Sequence, residues 1–395
     1  MEHLQGALRT YPWGSRTLLA QLRGTEVPSE APEAELWFGA HSAAPSLVGG
    51  QGLDAVIAAD PVGTLGKRVA DQYGSQLPFL LKLLAAAEPL SIQAHPSRSQ
   101  AKAGFSREEA QGISLDDPTR NYKDPNPKPE LIVALTPFEA LAGFRPLEQT
   151  REFFAALDCE ELDRYASLLD ATSEEAGLRA VFTTFISLPE DPRTSLIAAI
   201  VPAAQRVAKN AAAGESAALA EMFLRVHDKY PNDVGVLAAL LLNYVQMRPG
   251  EALYLAAGQL HAYLAGLGVE IMANSDNVLR GGLTSKHVDV PELVKVLDFS
   301  SLDDPFAATS EQDNVVSFHL PVQDFIMSAH RVDAEHPMHV DTDGPAIILC
   351  TEGQVCAGDF VLTPGQAAWI PASDPAVTFD VAEGFTTAQC FYARV

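Results

Sequence analysis

Hydrophobic residues recur with two different periods along the chain, and the change of period divides it into three parts. Between residues 148 and 247, apolar positions are spaced three and four residues apart, which predicts amphipathic helices. This stretch is also poor in glycine, since it contains only Gly177, Gly214 and Gly235 of the 27 glycines in the chain. We therefore predict an all-α insertion over residues 148–247.

Two helices of this insertion have recognisable ends. Asp191 and Pro192 precede an apolar run at residues 196–204, and this pair predicts a helix start. A second helix is predicted from residue 234 to residue 246, because Pro249 and Gly250 follow it and would end it.

Short apolar runs separated by glycine and proline occupy both flanks of the insertion. Near the C-terminus, turn signals such as Glu352-Gly353 lie between these runs. The strands predicted there cover residues 315–320, 325–330, 346–350, 360–363, 368–370, 377–381 and 388–392. Many short strands at this spacing favour a β-sandwich or jelly roll. The predicted fold class is mainly β with an all-α insertion.

The net charge of the chain limits the classes of molecule that it is expected to bind. It has 27 basic and 51 acidic residues, for a net charge of −24. Neither nucleic acid nor an anionic membrane is expected as a partner, because both bind basic surfaces. The longest apolar stretch, residues 77–90, is too short to span a bilayer and contains Lys82.

The cysteine content and the N-terminus predict a cytoplasmic location. No apolar run near the N-terminus has the character of a secretion signal. The four cysteines lack CxxC spacing and are expected to be reduced thiols: Cys159, Cys350, Cys356 and Cys390.

The first candidate site is the segment SIQAHP, residues 91–96. In a strand, Gln93 and His95 face the same side because they are two residues apart. Pro96 would end that strand or confine it to an edge. By itself the pair is weak evidence, since two such residues also occur in purely structural roles.

The second candidate is DPNPKPE, residues 124–130, where alternating prolines hold the backbone extended and stiff. Lys128 and Glu130 are again two residues apart. A rigid segment suits a carboxylate that must be held accurately, as a metal ligand is. A proline-rich surface loop with an ordinary ion pair is the alternative.

The third candidate is GEALYLAAGQLHAYL, residues 250–264. Its glycines and His261 have the spacing of the second cupin motif, G(x)5PxG(x)2H, with Ala256 at the proline position. That motif aims its histidine into a barrel. Residues 365–371, GQAAWIP, resemble the first half of the motif, but no histidine follows them. The resemblance predicts two cupin-like jelly-roll barrels, the second without metal.

The fourth candidate is a polar cluster in residues 268–286. Its members are Glu270, Asp276, Asn277, Arg280 and Lys286. Gly281 and Gly282 leave backbone N–H groups accessible to an anion beside the Arg280 guanidinium. A protein of this net charge needs such a basic pocket to bind an anionic substrate.

Four of these residues form a set of metal-ligand types: Gln93, His95, Glu130 and His261. Two imidazoles, a carboxylate and an amide oxygen suit a divalent metal with positions left open for water or substrate. Zinc, nickel, cobalt and manganese are all compatible with these ligands.

The chain resembles the type I mannose-6-phosphate isomerase (phosphomannose isomerase) family across most of residues 11–286. The matching segments occur in the family's order: YPWGS at 11–15, ELWFGAHS at 35–42, PFLLKLL at 78–84, LSIQAHP at 90–96, NPKPE at 126–130, LAAGQLHAYL at 255–264 and VEIMANSDNVLRGGLTSK at 269–286. The predicted insertion and C-terminal barrel agree with that family's architecture.

The resemblance implies one zinc ion per subunit, bound by the four residues of the metal-ligand set. It implies interconversion of mannose 6-phosphate and fructose 6-phosphate through a cis-enediol(ate). Catalytic positions are implied for Arg280, Glu270, Lys128 and Asp276. Substrate-binding positions are implied for Lys82, Ser91, Tyr263, Lys286 and Trp13. We expect Glu270 as base, Arg280 at the enediolate, and Lys82 or Lys128 with Ser91 near the phosphate.

The implied organisation has four segments. Residues 1–147 and 248–300 form the catalytic cupin domain, residues 148–247 the helical insertion, and residues 301–395 a C-terminal cupin-like domain without metal. A monomer or weak oligomer is expected. The stretch HRVDAEHPMH, residues 330–339, lies outside the matching segments and is expected to be a surface loop.

One departure from the family concerns proton transfer. The family often has NHKPE where this chain has NPKPE, so Pro127 occupies a histidine position. Because proline cannot accept a proton, the base is expected to be Glu270, Asp276 or a water on the metal.

Two other functions remain open at this point. Two histidines and a carboxylate also suit a non-haem iron dioxygenase, although Gln93 and the cationic cluster are not needed for oxygen chemistry. A non-enzymatic sugar-phosphate sensor is the other alternative.

Overall fold

The protein is described here by a computed structural model that covers residues 1–341 and 343–395. Its helices are α1 Leu18–Arg23, α2 Leu53–Ala59, α3 Pro61–Tyr73, α4 Arg98–Ala110, α5 Leu147–Leu157, α6 Glu160–Ala166, α7 Glu174–Ile186, α8 Glu190–Ala208, α9 Glu215–Lys229, α10 Val234–Ala239 and α11 Val290–Val296, with 3₁₀ turns at Ser167–Asp170 and Ala211–Ala213.

Its first thirteen strands belong to the part of the chain before residue 283. They are β1 Glu2–Gln5, β2 Ala7–Arg9, β3 Glu35–Phe38, β4 Leu47–Val48, β5 Gln51–Gly52, β6 Phe79–Ala86, β7 Ile92–Ala94, β8 Glu130–Ala134, β9 Phe138–Phe144, β10 Leu242–Met247, β11 Ala252–Leu255, β12 His261–Ala273 and β13 Leu279–Gly282.

The remaining strands follow residue 307. They are β14 Ala308–Gln312, β15 Val315–His319, β16 Ile326–Asp333, β17 Met338–Val340, β18 Ala346–Glu352, β19 Val355–Ala357, β20 Phe360–Leu362, β21 Ala367–Ile370, β22 Val377–Val381 and β23 Thr387–Arg394. Each strand predicted from the sequence in this region is confirmed to within a few residues at its ends.

Strand β12 is the centre of a ten-stranded sheet. Its first half pairs with β7 and β9, and its second half pairs with β6 and β8. Gly266 lies between the halves with a φ of +119°, and a Cβ there would lie 2.7 Å from the Pro137 carbonyl oxygen. Glycine is therefore required where the strand bends between its two sets of partners.

Alternation along these strands separates the core from an inner face. Leu81 and Leu83 of β6, like Val269 and Ile271 of β12, belong to one buried cluster. The intervening residues point the opposite way, because neighbouring side chains of a strand face opposite sides of the sheet. Lys82 and the polar residues of β8 and β12 are thus placed on the inner face.

The C-terminal strands form a nine-stranded sheet that packs on two sides. Ile347 and Leu349 of β18 face the cluster shared with β6 and β12, while Ile348 and Cys350 face a second core. That second core is covered by the four-stranded sheet β17-β22-β19-β20. The nine-stranded sheet also includes β1, β4 and β5 from the N-terminus.

The mainly β fold with a helical insertion is confirmed. Within the described ranges, no strand pairing closes either large sheet into a ring. The two jelly-roll barrels therefore remain a prediction.

Helices α5 to α10 lie within the predicted insertion, but the last of them is shorter than predicted. The helix expected over residues 234–246 ends at Ala239, and β10 follows it, so that part of the prediction is wrong. Strand β10 pairs with β9, where Tyr244 and Val245 fit the pleated surface. An apolar run of this kind is compatible with helix or strand, and pairing with β9 selects the strand.

Two further findings concern the surface. Residues 330–339 are not one loop, since His330 belongs to β16 and His339 to β17; that prediction is wrong for both ends of the segment. Among the helices described, none has the combination of length and hydropathy that a bilayer span requires.

Candidate metal centre and its surroundings

Three predicted ligands from distant parts of the sequence meet in the interior. The ligating atoms of His95, Glu130 and His261 lie within 4.8 Å of one another. Nε2 of His95 is 3.3 Å from Glu130 Oε1, and Nε2 of His261 is 3.4 Å from Glu130 Oε2. All three side chains are at most 2% exposed. His261 begins β12 opposite Gln93 of β7, which His95 follows closely, while Glu130 begins β8 opposite Leu255 of β11, the strand before β12.

Hydrogen bonds orient both imidazoles toward this meeting point. Nδ1 of His95 lies 2.7 Å from the Asn277 carbonyl oxygen, and Nδ1 of His261 lies 3.1 Å from the Gln259 carbonyl oxygen. Because a carbonyl only accepts, each Nδ1 donates and each Nε2 keeps its lone pair. This is the arrangement of metal-ligating histidines.

The atoms that face one another are buried without hydrogen-bond partners among the described residues. They are Nε2 of His95, Nε2 of His261 and Oε2 of Glu130. Buried unpaired polar atoms cost free energy, on the order of 1–3 kcal/mol each. A divalent cation would satisfy all three at once, so this donor set fits a metal ion.

The protonation states also suit a metal. Burial lowers the pKa of His95 to about 4, which leaves its ring neutral at pH 7. Burial opposes ionisation of Glu130, but Lys128 and the two imidazoles lower its pKa well below the usual value. Neutral imidazole and ionised carboxylate are the ligating forms.

Gln93 is placed on the same face as His261 by strand register. The two residues are direct partners between β7 and β12, and side chains of such partners lie on one side of the sheet. Ile92 and Ala94 pack instead into the core of the helical insertion. The assignment of Gln93 as the fourth ligand stays a prediction.

A buried network of charges lines the inner face beside this centre. Lys82 Nζ donates to Glu270 Oε2 at 2.9 Å and lies 3.6 Å from Glu35 Oε1. The Tyr263 hydroxyl donates to the other Glu270 oxygen at 2.7 Å. Strand register explains the pair, because Lys82 and Glu270 are direct partners between β6 and β12.

The network shifts the pKa values of its members. Burial alone would lower the pKa of Lys82, but Glu270 and Glu35 raise it above its ordinary value. Burial raises the pKa of Glu270, and Lys82 opposes that rise. Burial and the Glu270 charge raise the pKa of Tyr263, so its hydroxyl stays protonated.

Lys128 is the second buried lysine and is paired with a candidate ligand. Its Nζ is 3.0 Å from Glu130 Oε1, and its side chain is largely buried. Both predicted lysines are therefore already matched by carboxylates.

Arg280 and Lys286 differ from these lysines. Neither side chain forms an ion pair within residues 1–341 and 343–395. Arg280 is the direct partner of Gln93 between β13 and β7, which places it on the face of Gln93 and His261. Repulsion from Arg280, more than burial, lowers the pKa of Lys286.

The other predicted substrate residues lie around this face. Ser91 comes directly before β7, whose Ile92 pairs with Gly282 of β13. Trp13 packs against the inner cluster that contains Tyr263. Asp276 is at the surface and its carboxylate lies 3.2 Å from the His41 ring.

Glu35, His41 and Asp124 near the centre were not identified as site residues from the sequence, and Asn277 was named in the polar cluster without a role. Glu35 and His41 lie in ELWFGAHS, and Asn277 lies in the polar cluster, so a signal was present in the matching segments. Their partners come from elsewhere in the chain, and only the fold brings them together.

A separate cleft lies elsewhere on the molecule. It measures about 460 Å³ and runs between β1 and the segment 363–367. It contains none of the predicted site residues, and the converging ligands identify the chemical centre better than cleft size does.

Two family models match the sequence. The catalytic domain of phosphomannose isomerase type I matches residues 1–147, and the helical insertion domain of phosphomannose isomerase type I matches residues 155–242. The mannose-6-phosphate isomerase of Escherichia coli is 38% identical over 401 residues, covering 96% of each chain. The human mannose-6-phosphate isomerase is 33% identical and covers 95% of this chain and 92% of its own.

Solved structures are similar over the whole chain. A crystal structure of mannose 6-phosphate isomerase bound with zinc and yttrium has a TM-score of 0.89 at 34% identity, covering 100% of this chain and 99% of the other. A mutant of phosphomannose isomerase from Salmonella typhimurium has a TM-score of 0.88 at 33% identity, with the same coverage.

Proposed function

The chain belongs to the type I phosphomannose isomerase family, and from this premise we propose that it interconverts mannose 6-phosphate and fructose 6-phosphate with one zinc ion. His95, Glu130, His261 and Gln93 would hold the ion. The observation that carries this proposal is the convergence of three buried, unpartnered ligand atoms. A bound zinc ion would act as a Lewis acid toward the sugar oxygens.

The proton transfer is assigned to Glu270. An aldose–ketose isomerisation removes a proton from C2 and returns it to C1 through a cis-enediol(ate). Glu270 is buried beside the ligands, and its raised pKa makes it a stronger base than an exposed carboxylate. Lys82 and the Tyr263 hydroxyl each hold one of its oxygens, so the carboxylate has one fixed orientation.

Glu270 is preferred to Asp276 as the base. The His41 hydrogen bond lowers the pKa of Asp276, which weakens that carboxylate as a proton acceptor. Pro127 offers no titratable group, so no residue at that position competes for the role.

The ion pairs favour a different phosphate site from the one expected above. Lys82 and Lys128 are matched by buried carboxylates, so a phosphate would have to displace them. Arg280 and Lys286 have no carboxylate partners in the described ranges, and Ser91 lies next to their segment. We therefore assign the phosphate to Arg280, Lys286 and Ser91, and this remote binding positions the sugar.

The domain layout is proposed on the same premise. Residues 1–147 and 248–300, together with β10, would form the catalytic jelly roll, with Trp13 lining the sugar site, and the rest of residues 148–247 would form the helical insertion. Residues 301–395 would form a second jelly roll without a metal. Lys128, through Glu130, would set the charge of the metal centre.

Turnover before and after chelation tests this function. Purified protein is assayed for conversion of mannose 6-phosphate to fructose 6-phosphate, stripped of metal, and assayed again with and without added zinc. We expect activity to disappear on stripping and to return with zinc. A His261→Ala variant serves as control, and zinc should not restore its activity.

The other outcomes are also informative. No turnover in folded, zinc-loaded protein would contradict the isomerase. Tight binding of the sugar phosphate without turnover would favour a sensor, and activity that needs iron and oxygen would favour a dioxygenase.

A further inference from the structure

His41 is a buried histidine whose ring is fixed by its neighbours. Its side chain is 4% exposed, and the Trp37 ring lies edge-on to it with centroids 5.0 Å apart. Nδ1 accepts a hydrogen bond from the Ala43 backbone N–H at 3.1 Å. A ring nitrogen that accepts carries no proton, so the proton of the neutral ring is on Nε2.

That proton points at a carboxylate. Nε2 of His41 is 3.2 Å from Oδ1 of Asp276. The main chain of Asp276 is held separately, because its N–H donates to Asp124 Oδ2 at 2.8 Å. The other oxygen of Asp276, Oδ2, has no hydrogen-bond partner among the described residues.

Asp276 lies at the surface, in the polar cluster next to Asn277. Its side chain is 57% exposed. The hydrogen bond from His41 lowers the pKa of Asp276 most, and the charges of Lys128 and Lys82 lower it further. Asp124 is a nearby group of like charge. The Asp276 carboxylate is therefore open to solvent and feels the positive charges of the two lysines beside the candidate metal centre.

We propose that His41 is a positioning residue that fixes one oxygen of Asp276 and thereby aims the other at a hydroxyl of the sugar phosphate. This inference rests on the proposed function and adds to it the residue that orients the Asp276 carboxylate. An unanchored aspartate at the surface would sample several rotamers, and a fixed acceptor loses less entropy when the sugar binds.

Substitution of His41 by glutamine or asparagine distinguishes the roles of its two ring nitrogens. In His41→Gln, the side-chain amide can place an N–H close to the position of Nε2, which keeps the donor to Asp276. In His41→Asn, the amide reaches only the position of Nδ1, which keeps the contact with Ala43 and loses the donor. His41→Leu lacks both, and His319→Leu at an exposed position is the control.

We expect His41→Leu and His41→Asn to lower kcat/KM for mannose 6-phosphate about tenfold to a hundredfold, the loss expected for one hydrogen bond to a charged group. The loss should appear mainly in KM, because a sugar-binding contact is weakened. His41→Gln should recover most of it, and zinc content should be unchanged in all variants. His319→Leu should behave as wild type.

A double-mutant cycle with Asp276→Asn completes the test. If His41 acts through Asp276, His41→Leu should have almost no further effect in that background. Equal losses in the Gln and Asn variants, or additive losses in the cycle, would overturn the inference. Wild-type protein is measured first: absence of turnover there refutes the isomerase itself, whereas active wild type with unaffected His41 variants refutes only the role of His41.

Discussion

At the scale of single residues, each buried lysine of the site is paired with at least one buried carboxylate. Lys82 lies between Glu270 and Glu35, and Lys128 lies against Glu130. Removing one member of a buried pair leaves an uncompensated charge, at a cost of about 3–5 kcal/mol. The lysines therefore help to keep these buried carboxylates ionised.

Substitution of Glu270 by glutamine tests the proposed base. The amide is close in size: its oxygen can accept from Lys82 while its NH2 donates to the Tyr263 hydroxyl oxygen, and Glu35 remains 3.6 Å from Lys82, so the fold should persist. We expect kcat to fall about 10²–10⁴-fold, because general base catalysis is lost. Solvent deuterium incorporation into the sugar is measured together with turnover.

Glu35→Gln is the matched comparison for that variant. It removes the other carboxylate beside Lys82 without removing the base, so its loss of kcat should be much smaller. A Glu270→Gln variant that folds, keeps its zinc and isomerises normally would exclude Glu270 from this role.

At the scale of elements, two loops are tied together behind the ligands. The Asn277 side chain accepts from the backbone N–H groups of Lys123 and Asp124, and it donates to the carbonyls of Asp124 and Asn126. Its own carbonyl oxygen accepts from His95. One fully buried residue thus connects the proline-rich segment, the polar cluster and a metal ligand.

Substitution of Asn277 by alanine should weaken zinc binding. Loss of these bonds frees the loop that leads to Glu130 and shifts the carbonyl that orients His95, and changes around metal ligands cost about 10–100-fold in affinity. Zinc affinity is measured by competition with a chelator on stripped protein.

A second asparagine provides the control for loss of stability alone. Asn243 also donates to three backbone carbonyls, but these belong to β9 and residue 302 rather than to the ligand loops. Asn243→Ala should lower the unfolding temperature and leave zinc affinity unchanged. Equal zinc affinity in the two variants would contradict the role given to Asn277.

At the scale of the whole molecule, the C-terminal strands are part of one packed structure with the rest of the chain. Strand β1 pairs with β21, and Trp369 and Phe391 share a buried cluster with Leu81 and Leu83. Arg68 also binds Asp343 through two nitrogens. The sheet that carries Lys82 therefore has its outer face covered by the C-terminal sheet.

Truncation after residue 300 should prevent stable folding of what remains. It would expose the apolar face of β6 and β12 and remove the partner of β1, and burial of apolar area is the main stabilising term in folding. We expect insoluble protein or a broad, low-temperature unfolding transition. A truncated chain that unfolds cooperatively near the wild-type temperature and binds zinc would contradict this.

Local pattern was sufficient for several features of this protein. Lys128 and Glu130, two residues apart in a segment held extended by prolines, could be paired from the sequence, and their side chains meet at 3.0 Å. Helical spacing and scarce glycine marked the insertion, and turn residues separated the C-terminal strands. These are properties of neighbouring residues and need no knowledge of distant ones.

Contacts between residues far apart in the sequence could be identified only from the fold. The switch from helix to strand after Ala239 depends on pairing with β9, because an apolar run fits either structure. The pairing of Lys82 with Glu270 depends on sheet register, and together with the local Lys128–Glu130 pair it moves the proposed phosphate site to Arg280 and Lys286. The link between His41 and Asp276 also needs the fold, since residues far apart in sequence meet only when the chain is packed.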